Sequence, residues 1–228
     1  MKLQGGAGLE LEIKRIKREA EKLISVDPAA AFTTLGIIAC FERKISEMHQ
    51  FHKNALALSN EAIHLANYAI SLSACGLLEE ALEYAKRAYD ECQSDLTRRR
   101  DALDLIIDLT YQLGRLEEFF SYADQWQRLT GKKHLRAADL IDFSEKHGLR
   151  GHLATAIRLL NDCFAGARGG HLKLEHDPET EEEWLVIEFE IGGKIEDILN
   201  SYDHFTGLWI SSVPWPEREK IRLSYIAV

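Results

Sequence analysis

Residues 65–88, LANYAISLSACGLLEEALEYAKRA, decide the predicted fold because they describe two short helices joined by a tight turn. Gly76 stands where the first helix must end, since glycine adopts the left-handed backbone conformation with the least strain. Glu79 and Glu80 open the second helix, where the helix dipole favours negative charge. Small residues at spacings of four and three then allow two helix axes to approach closely: Ala81, Ala85 and Ala88. The stretch therefore predicts an antiparallel pair of helices.

Glycines at related positions extend this pattern along the chain. Gly114 lies 38 residues after Gly76, and Gly148 lies 34 residues after Gly114. The extra residues of the longer interval are about one helical turn, so the helix before Gly114 is expected to be longer. Counting back by 33, three residues take the places of Leu65, Ala69 and Ala88, namely Phe32, Gly36 and Ala55. Arg43 stands in place of the turn glycine there, which leaves the first helix boundary open.

This period, with its small residues and turn glycines, resembles the tetratricopeptide repeat, a stack of antiparallel helix pairs. The resemblance covers roughly residues 29–165, and repeats are predicted over residues 29–168. It implies a mainly α fold, a right-handed α-solenoid whose first helices line a concave groove. Residues 1–28 are predicted to form an N-terminal capping helix, because an amphipathic pattern over residues 8–26 is closed by Asp27 and Pro28. An unrelated helical bundle with coincidental glycines is the alternative.

The periodicity changes from 3.6 to 2 after Gly166, which predicts a small α+β unit over residues 169–228. Strands are expected at residues 171–175, 184–191 and 221–227, with an extended corner at residues 213–216. A helix is expected between the last two strands, and its apolar stripe is Ile195, Ile198, Leu199, Tyr202, Phe205 and Leu208. The order β-β-α-β predicts a three-stranded mixed sheet with the helix on its apolar face. We expect this unit to dock on the last helix pair near Ala156, Leu160 and Phe164.

The composition excludes several classes of protein. The chain has 228 residues, 46% of them hydrophobic and 29% charged, which is typical of a foldable chain. Its net charge of −9 argues against nucleic acid or an anionic membrane as the default partner. Apolar runs are far shorter than the roughly 20 residues that span a bilayer, and no secretory segment is visible. Four cysteines without a CxxC pair indicate reduced thiols, so a cytoplasmic protein is expected.

Motifs for catalysis or metal binding are sparse. The sequence has no P-loop and no GxGxxG, GxSxG or HExxH motif. His49 and His52 lie three residues apart on a predicted helix but lack further zinc ligands, and His52 falls where the repeat places a packed residue. No metal or other cofactor is therefore expected. An enzyme remains an alternative, a small hydrolase whose acid–base site in the C-terminal unit uses His176, Glu188, Glu190 and His204.

The resemblance implies that the first helix of each pair faces the groove. Counting positions in those helices places nine candidate partner-binding residues there: Ile37, Phe41, Ile63, Ile70, Asp101, Asp104, Asp108, Asp142 and Glu145. Family members that clamp a C-terminal carboxylate need Lys, Arg and Asn at positions that Thr33 and Ile37 occupy here, so that specificity is rejected. The groove is expected to be apolar at one end and acidic at the other. As an alternative, Asp101 and Asp104 merely complement a helix dipole.

These observations predict a non-catalytic scaffold or adaptor for protein–protein interaction. The expected partner is a protein or peptide with a basic segment beside an apolar anchor. A helical-repeat regulator of a basic partner that acts on nucleic acid is an alternative. Self-association as a homodimer through residues 8–26 is also left open.

Overall fold

The computed structural model describes residues 5–164 and 168–227 and divides the chain into two compact units, residues 1–109 and 110–228. The helices of the first part of the chain are α1 (Gly5–Leu23), α2 (Pro28–Phe41), α3 (Ile45–Leu58), α4 (Ala62–Ala74), α5 (Leu78–Glu91), α6 (Leu96–Gln112), α7 (Leu116–Thr130), α8 (Ala138–Lys146) and α9 (Arg150–Cys163). They are followed by β1 (Arg168–His176), β2 (Glu183–Ile191), α10 (Ile195–Ser212), α11 (Trp215–Glu219) and β3 (Ile221–Ala227). The prediction of a mainly helical chain with a small C-terminal α+β part is confirmed. The predicted domain boundaries after residues 28 and 168 stay predictions.

Four turns with one geometry join the helices in pairs. Each turn has a residue with a positive φ of 58–78° at its centre: Arg43, Gly76, Gly114 and Gly148. At Gly76 the amide donates to the Ser73 carbonyl over 2.9 Å, and the next amide, of Leu77, donates to the Leu72 carbonyl over 2.9 Å. The other three turns repeat both hydrogen bonds, which satisfy carbonyls at the end of the preceding helix. The predicted repetition of helix–turn–helix units is therefore confirmed.

Arg43 settles the boundary of the first pair. It adopts the left-handed conformation with φ 58°, so the turn lies where the sequence frame puts it although no glycine is present. Its guanidinium donates to the Ala74 carbonyl over 3.1 Å, at the end of α4. That hydrogen bond gives the side chain a role that glycine could not fill.

The core of the first unit requires small residues where its helices cross. Helix α2 packs on α3 and α4, and α4 packs on α5. A methyl group added at Gly36 would stand 2.7 Å from the His52 ring, so the position that holds Ala69 in the next repeat must be glycine here. Leu65, Ala88 and Ala102 bring α4, α5 and α6 together in one buried cluster.

The second unit contains the predicted mixed sheet. Strand β2 is central, antiparallel to β1 and parallel to β3. The predicted apolar face of β2 is buried, and the ring of Phe164, after α9, contacts Phe189 of β2 and Phe205 of α10 at centroid distances of 5.5 and 6.0 Å. The expected docking of this sheet and helix near Phe164 is therefore confirmed.

Two details of the C-terminal prediction are wrong. The buried stripe of α10 is formed by Ile198, Phe205 and Trp209, whereas Ile195 and Leu199 are exposed. Residues 215–219 form the short helix α11 instead of continuing an extended corner. Proline is compatible with the first turn of a helix because the amide there needs no intrahelical partner. The Pro214-Trp215-Pro216 sequence therefore begins a helix.

Helix α1 contacts α2 but keeps most of its predicted apolar stripe exposed. Ala20 is its buried residue, while Ile16, Leu23 and Ile24 are exposed, and the side chain of Leu9 lies outside the described residues. Self-association through this segment stays a prediction.

Candidate functional site

A groove of about 320 Å³ lies in the first unit, between α4, α5 and α6. Small side chains from all three helices leave this space open: Ala62, Ala66, Ala88 and Ala102. Five of the nine predicted residues line the groove: Ile63, Ile70, Asp101, Asp104 and Asp108. We call it the α4–α6 groove. The counting of helix positions thus brings together two apolar and three acidic side chains at one place.

The apolar side of the α4–α6 groove is formed by α4. Ile63 and Ile70 are seven residues apart, two helical turns, and therefore lie on the same face of the helix. They are 42% and 53% exposed. Leu105 of α6 adds a third, partly buried apolar side chain to the lining. These groups offer apolar surface to a partner at the mouth of a concave site.

The acidic side is formed by α6. Asp101, Asp104 and Asp108 follow at spacings of three and four and so share one face of this helix. Asp101 accepts a hydrogen bond of 2.9 Å from Arg100, and Asp101 and Asp104 are both exposed. Arg98 also lines the groove. Three carboxylates and one guanidinium leave the lining with an excess of two negative charges.

The start of α6 bears on the helix-dipole alternative. The helix begins at Leu96, and the side chain of Asp95 caps it by accepting hydrogen bonds of 3.0 Å from the amides of Thr97 and Arg98. The first turn contains no acidic residue. Because the dipole's effect falls off within the first turn, Asp95 is the residue that complements it. Asp101 and Asp104 lie too far along the helix for that role.

A second cavity of about 380 Å³ adjoins the first and shares Ile63 and Asn67 with it. Ile37, another predicted residue, lines this cavity beside Thr33 and Thr34. Thr33 Oγ1 and His64 Nδ1 share a hydrogen bond of 2.8 Å, so Thr33 is committed to the fold. This part of the surface is mixed in polarity, in contrast to the expected apolar end.

The remaining predicted residues do not line either cavity. Phe41 is the last residue of α2 and is 74% exposed. Asp142 and Glu145 belong to α8 in the second unit, where both carboxylates pair with Lys133. Glu145 also pairs with Arg150 at 3.0 Å. The spacing that groups these acids on one helix face is present, but both acids form ion pairs with cations of the same unit.

The candidates for a hydrolase site do not converge. His176 pairs in register with Glu183 at one end of the β1–β2 ladder. Glu188 lies five residues further along β2, about 16 Å away at the usual strand rise. Both its oxygens accept hydrogen bonds of 2.9 Å from Lys173. Glu190 lies on the same face of β2 as Glu188, opposite to Phe189. Phe189 faces the side of α10, because Phe164 contacts both Phe189 and Phe205. The exposed His204 belongs to α10, on that other side of the sheet.

The histidines of the first unit are part of its packing. His52 is fully buried, stacks on Tyr68 at 4.8 Å, and shares a hydrogen bond of 2.9 Å between Nε2 and Ser71 Oγ. Burial lowers the pKa of His52 to about 4, which keeps its imidazole neutral. His49 Nδ1 shares a hydrogen bond of 2.6 Å with the Tyr68 hydroxyl, whose pKa burial raises to about 12. In residues 5–164 and 168–227 no three His, Cys, Asp or Glu side chains are grouped to hold a metal ion.

Sequence reasoning missed two parts of the groove lining: Asn67 and the four alanines. The signal was present: Ala62 and Ala66 precede the predicted small position Ala69 on α4. Asn67 donates to the carbonyl of Ile63 over 2.9 Å, which holds its amide on the groove face of the same helix. Cys92 lines the groove as well, and burial raises the pKa of its thiol.

No protein-family model matches this chain, and neither a curated protein nor a solved structure proves similar to it. Within the described part of the chain, every helix is too short or too polar to cross a membrane.

Proposed function

We propose that this protein is a non-catalytic adaptor that binds a peptide segment of a partner protein in the α4–α6 groove. The segment carries an apolar anchor that packs on Ile63 and Ile70. It also carries a Lys or Arg that faces Asp101, Asp104 and Asp108 of α6, which we call the Asp row. The observation that carries this proposal is the presence of both kinds of side chain in one groove.

The shape of the groove supports a side-chain anchor. Its volume of about 320 Å³ is at the lower end of the range for ligand pockets, which is suitable for one or two side chains of a peptide. The groove lies along helix faces, so an extended or helical segment can follow it. Exposed apolar residues in a concave site are typical of such docking surfaces.

The charge of the groove supports a basic neighbour for that anchor. Carboxylates at the rim of an interface favour cationic partners and disfavour anionic ones, so they contribute to specificity and to the association rate. The helix-cap role falls to Asp95, so the helix dipole does not explain the carboxylates of Asp101 and Asp104.

We further propose that the helix pairs are tetratricopeptide-like. The four turns of equal geometry, at intervals of 33, 38 and 34 residues, support this assignment. The contact of α2 with α4, the first helices of successive pairs, supports it as well.

Peptide display on the full-length protein tests the function. A random 12-residue library selected on the immobilised chain should enrich sequences in which Lys or Arg lies within a few residues of Leu, Ile, Phe or Met. Ile70→Ser should lower the affinity for the selected peptides by about tenfold or more, because it removes an anchor contact. Leu58→Ser is the matched control, since Leu58 is 55% exposed and does not line the groove.

The acidic row is tested in the same assay. Asp101→Asn with Asp104→Asn should weaken binding about three- to tenfold at low salt, and the loss should shrink as salt screens the charges. Asp90→Asn on the exposed surface of α5 is the control. The proposal is refuted if no peptide is enriched, or if the enriched peptides bind Ile70→Ser and the double Asn variant as tightly as the unaltered protein.

A further inference from the structure

Three sulfur atoms from α2, α3 and the end of α4 meet in the first unit. The Sγ atoms of Cys40 and Cys75 are 3.5 Å apart, and Cys75 Sγ lies 3.7 Å from the Sδ atom of Met48. Met48 is fully buried and Cys40 is buried, whereas Cys75 is only partly buried. The cluster is therefore built into the core and has one side toward solvent. We call it the sulfur cluster.

We propose that the sulfur cluster is a binding site for a monovalent soft metal ion, cuprous copper. Thiolate and thioether ligands are the donors that select Cu(I) over harder ions. With metal–sulfur bonds of about 2.3 Å, three ligands in a trigonal plane stand about 4.0 Å from one another. The observed separations of 3.5 and 3.7 Å need to widen by only a few tenths of an ångström to admit the ion.

Binding involves no change of oxidation state. The two thiols each lose a proton to solvent, the thioether donates a lone pair, and Cu(I) takes all three sulfurs as ligands. The product carries one net negative charge, since two thiolates surround one monovalent cation. As thiols, Cys40 and Cys75 contact each other at 3.5 Å, and Cys40 Sγ lies 3.4 Å from the Ser71 carbonyl.

Arg43 compensates that negative charge. Its guanidinium is fixed by the hydrogen bond of 3.1 Å to the Ala74 carbonyl, adjacent in sequence to Cys75. A cation near a thiol stabilises the deprotonated form, which is the form that binds metal.

The same geometry disfavours zinc. A structural zinc ion takes four tetrahedral ligands from Cys, His or carboxylates. Across the described residues no third side chain of those types joins the two cysteines. The third donor is a thioether, which is a soft ligand and suits Cu(I).

Titration of the full-length, reduced protein with Cu(I) under anaerobic conditions tests the site, with bathocuproine disulfonate as the competing chelator. The protein should take up one Cu(I) per chain and show a thiolate-to-copper absorption band in the near ultraviolet. Cys40→Ser and Cys75→Ser should each weaken binding by at least about 100-fold, and Met48→Leu by about tenfold. Cys92→Ser and Cys163→Ser are the matched controls and should leave the uptake unchanged.

X-ray absorption on the unaltered protein makes the test independent of how well the variants fold. Three sulfur neighbours at about 2.3 Å support the site. A copper shell dominated by nitrogen or oxygen overturns it, as does uptake that survives both Cys40→Ser and Cys75→Ser. Failure of the unaltered protein to compete with the chelator overturns it too.

Discussion

Acidification should destabilise the first unit through His52. The ring is fully buried against Tyr68 and Gly36, and its Nε2 shares a hydrogen bond with Ser71. Its buried Nδ1 has no hydrogen-bond partner among residues 5–164 and 168–227. Protonation would place a charge there without an acceptor. Burial is the main reason that the pKa of His52 falls to about 4, and the nearby His49 and His64 lower it further.

The magnitude follows from the two states of the chain. Unfolded, His52 has a pKa of about 6.5, so between pH 6.5 and pH 4 the unfolded chain binds more protons than the folded one. The free energy of unfolding therefore falls as the pH drops through this window and is unaffected by His52 above it. At 1.36 kcal/mol for each pH unit between the two pKa values, the full loss is about 3 kcal/mol. At pH 5 the loss amounts to about 2 kcal/mol.

The assay is urea unfolding of the full-length protein at pH 7 and pH 5, followed by far-ultraviolet circular dichroism. Helix signal is the suitable probe because all four tryptophans lie in the second unit. His52→Gln keeps a polar atom for Ser71 and removes the titrating group. Its loss of stability between the two pH values should be smaller than that of the unaltered protein by about 2 kcal/mol.

His204→Gln is the control for this experiment, since His204 is exposed on α10 and should leave the pH dependence intact. An equal loss of stability on acidification in His52→Gln and in the unaltered protein would show that His52 is not the titrating group.

Two further substitutions test the packing, and a third serves as a control. Gly36→Ala should lower the free energy of unfolding by about 1–2 kcal/mol in a urea titration, because the clash with the His52 ring outweighs the gain in helix propensity. Gly207→Ala is the control, because a methyl group at this position of α10 meets open space, and it should raise the free energy of unfolding by up to about 1 kcal/mol. A similar gain in stability from Gly36→Ala would contradict the close contact with His52. Phe164→Ala should cost about 3–5 kcal/mol in tryptophan-monitored unfolding, since its ring bridges β2 and α10, and a cost below about 1 kcal/mol would show that the bridge is dispensable.

Local chemistry made the helix pairs predictable. Gly76, Gly114 and Gly148 mark their turns because few other residues adopt a positive φ without strain, and the structure gives all three that conformation. The alternation in β2 likewise predicted its buried face, since the side-chain period of a strand admits only two registers. Arg43 shows the limit of this reasoning, because its turn is stabilised by a contact with Ala74 that lies 31 residues away.

The groove was predictable only where the repeat frame is regular. The repeat positions counted from Gly76 hold for both α4 and α6. The count therefore predicts correctly that Ile63, Ile70 and the Asp row face one groove. Phe41 ends α2 in the degenerate first pair, where the frame carries no glycine. The pairing of Asp142 with Lys133 depends on the loop between α7 and α8, which has no counterpart in the repeat pattern. Helix periodicity does not predict tertiary contacts of this kind.

The composition of α4 itself argues for a partner. The helix contains no Asp, Glu, Lys or Arg, although an ordinary surface helix carries charged residues on its outer face. One side packs in the core through Leu65, Tyr68 and Leu72, yet the other exposes Ile63 and Ile70. An uncharged outer face gives little benefit to a helix that meets only water, whereas it suits one that another chain covers. The carboxylates that α4 lacks are supplied across the groove by α6, which is the arrangement that a basic segment with an apolar anchor would fit.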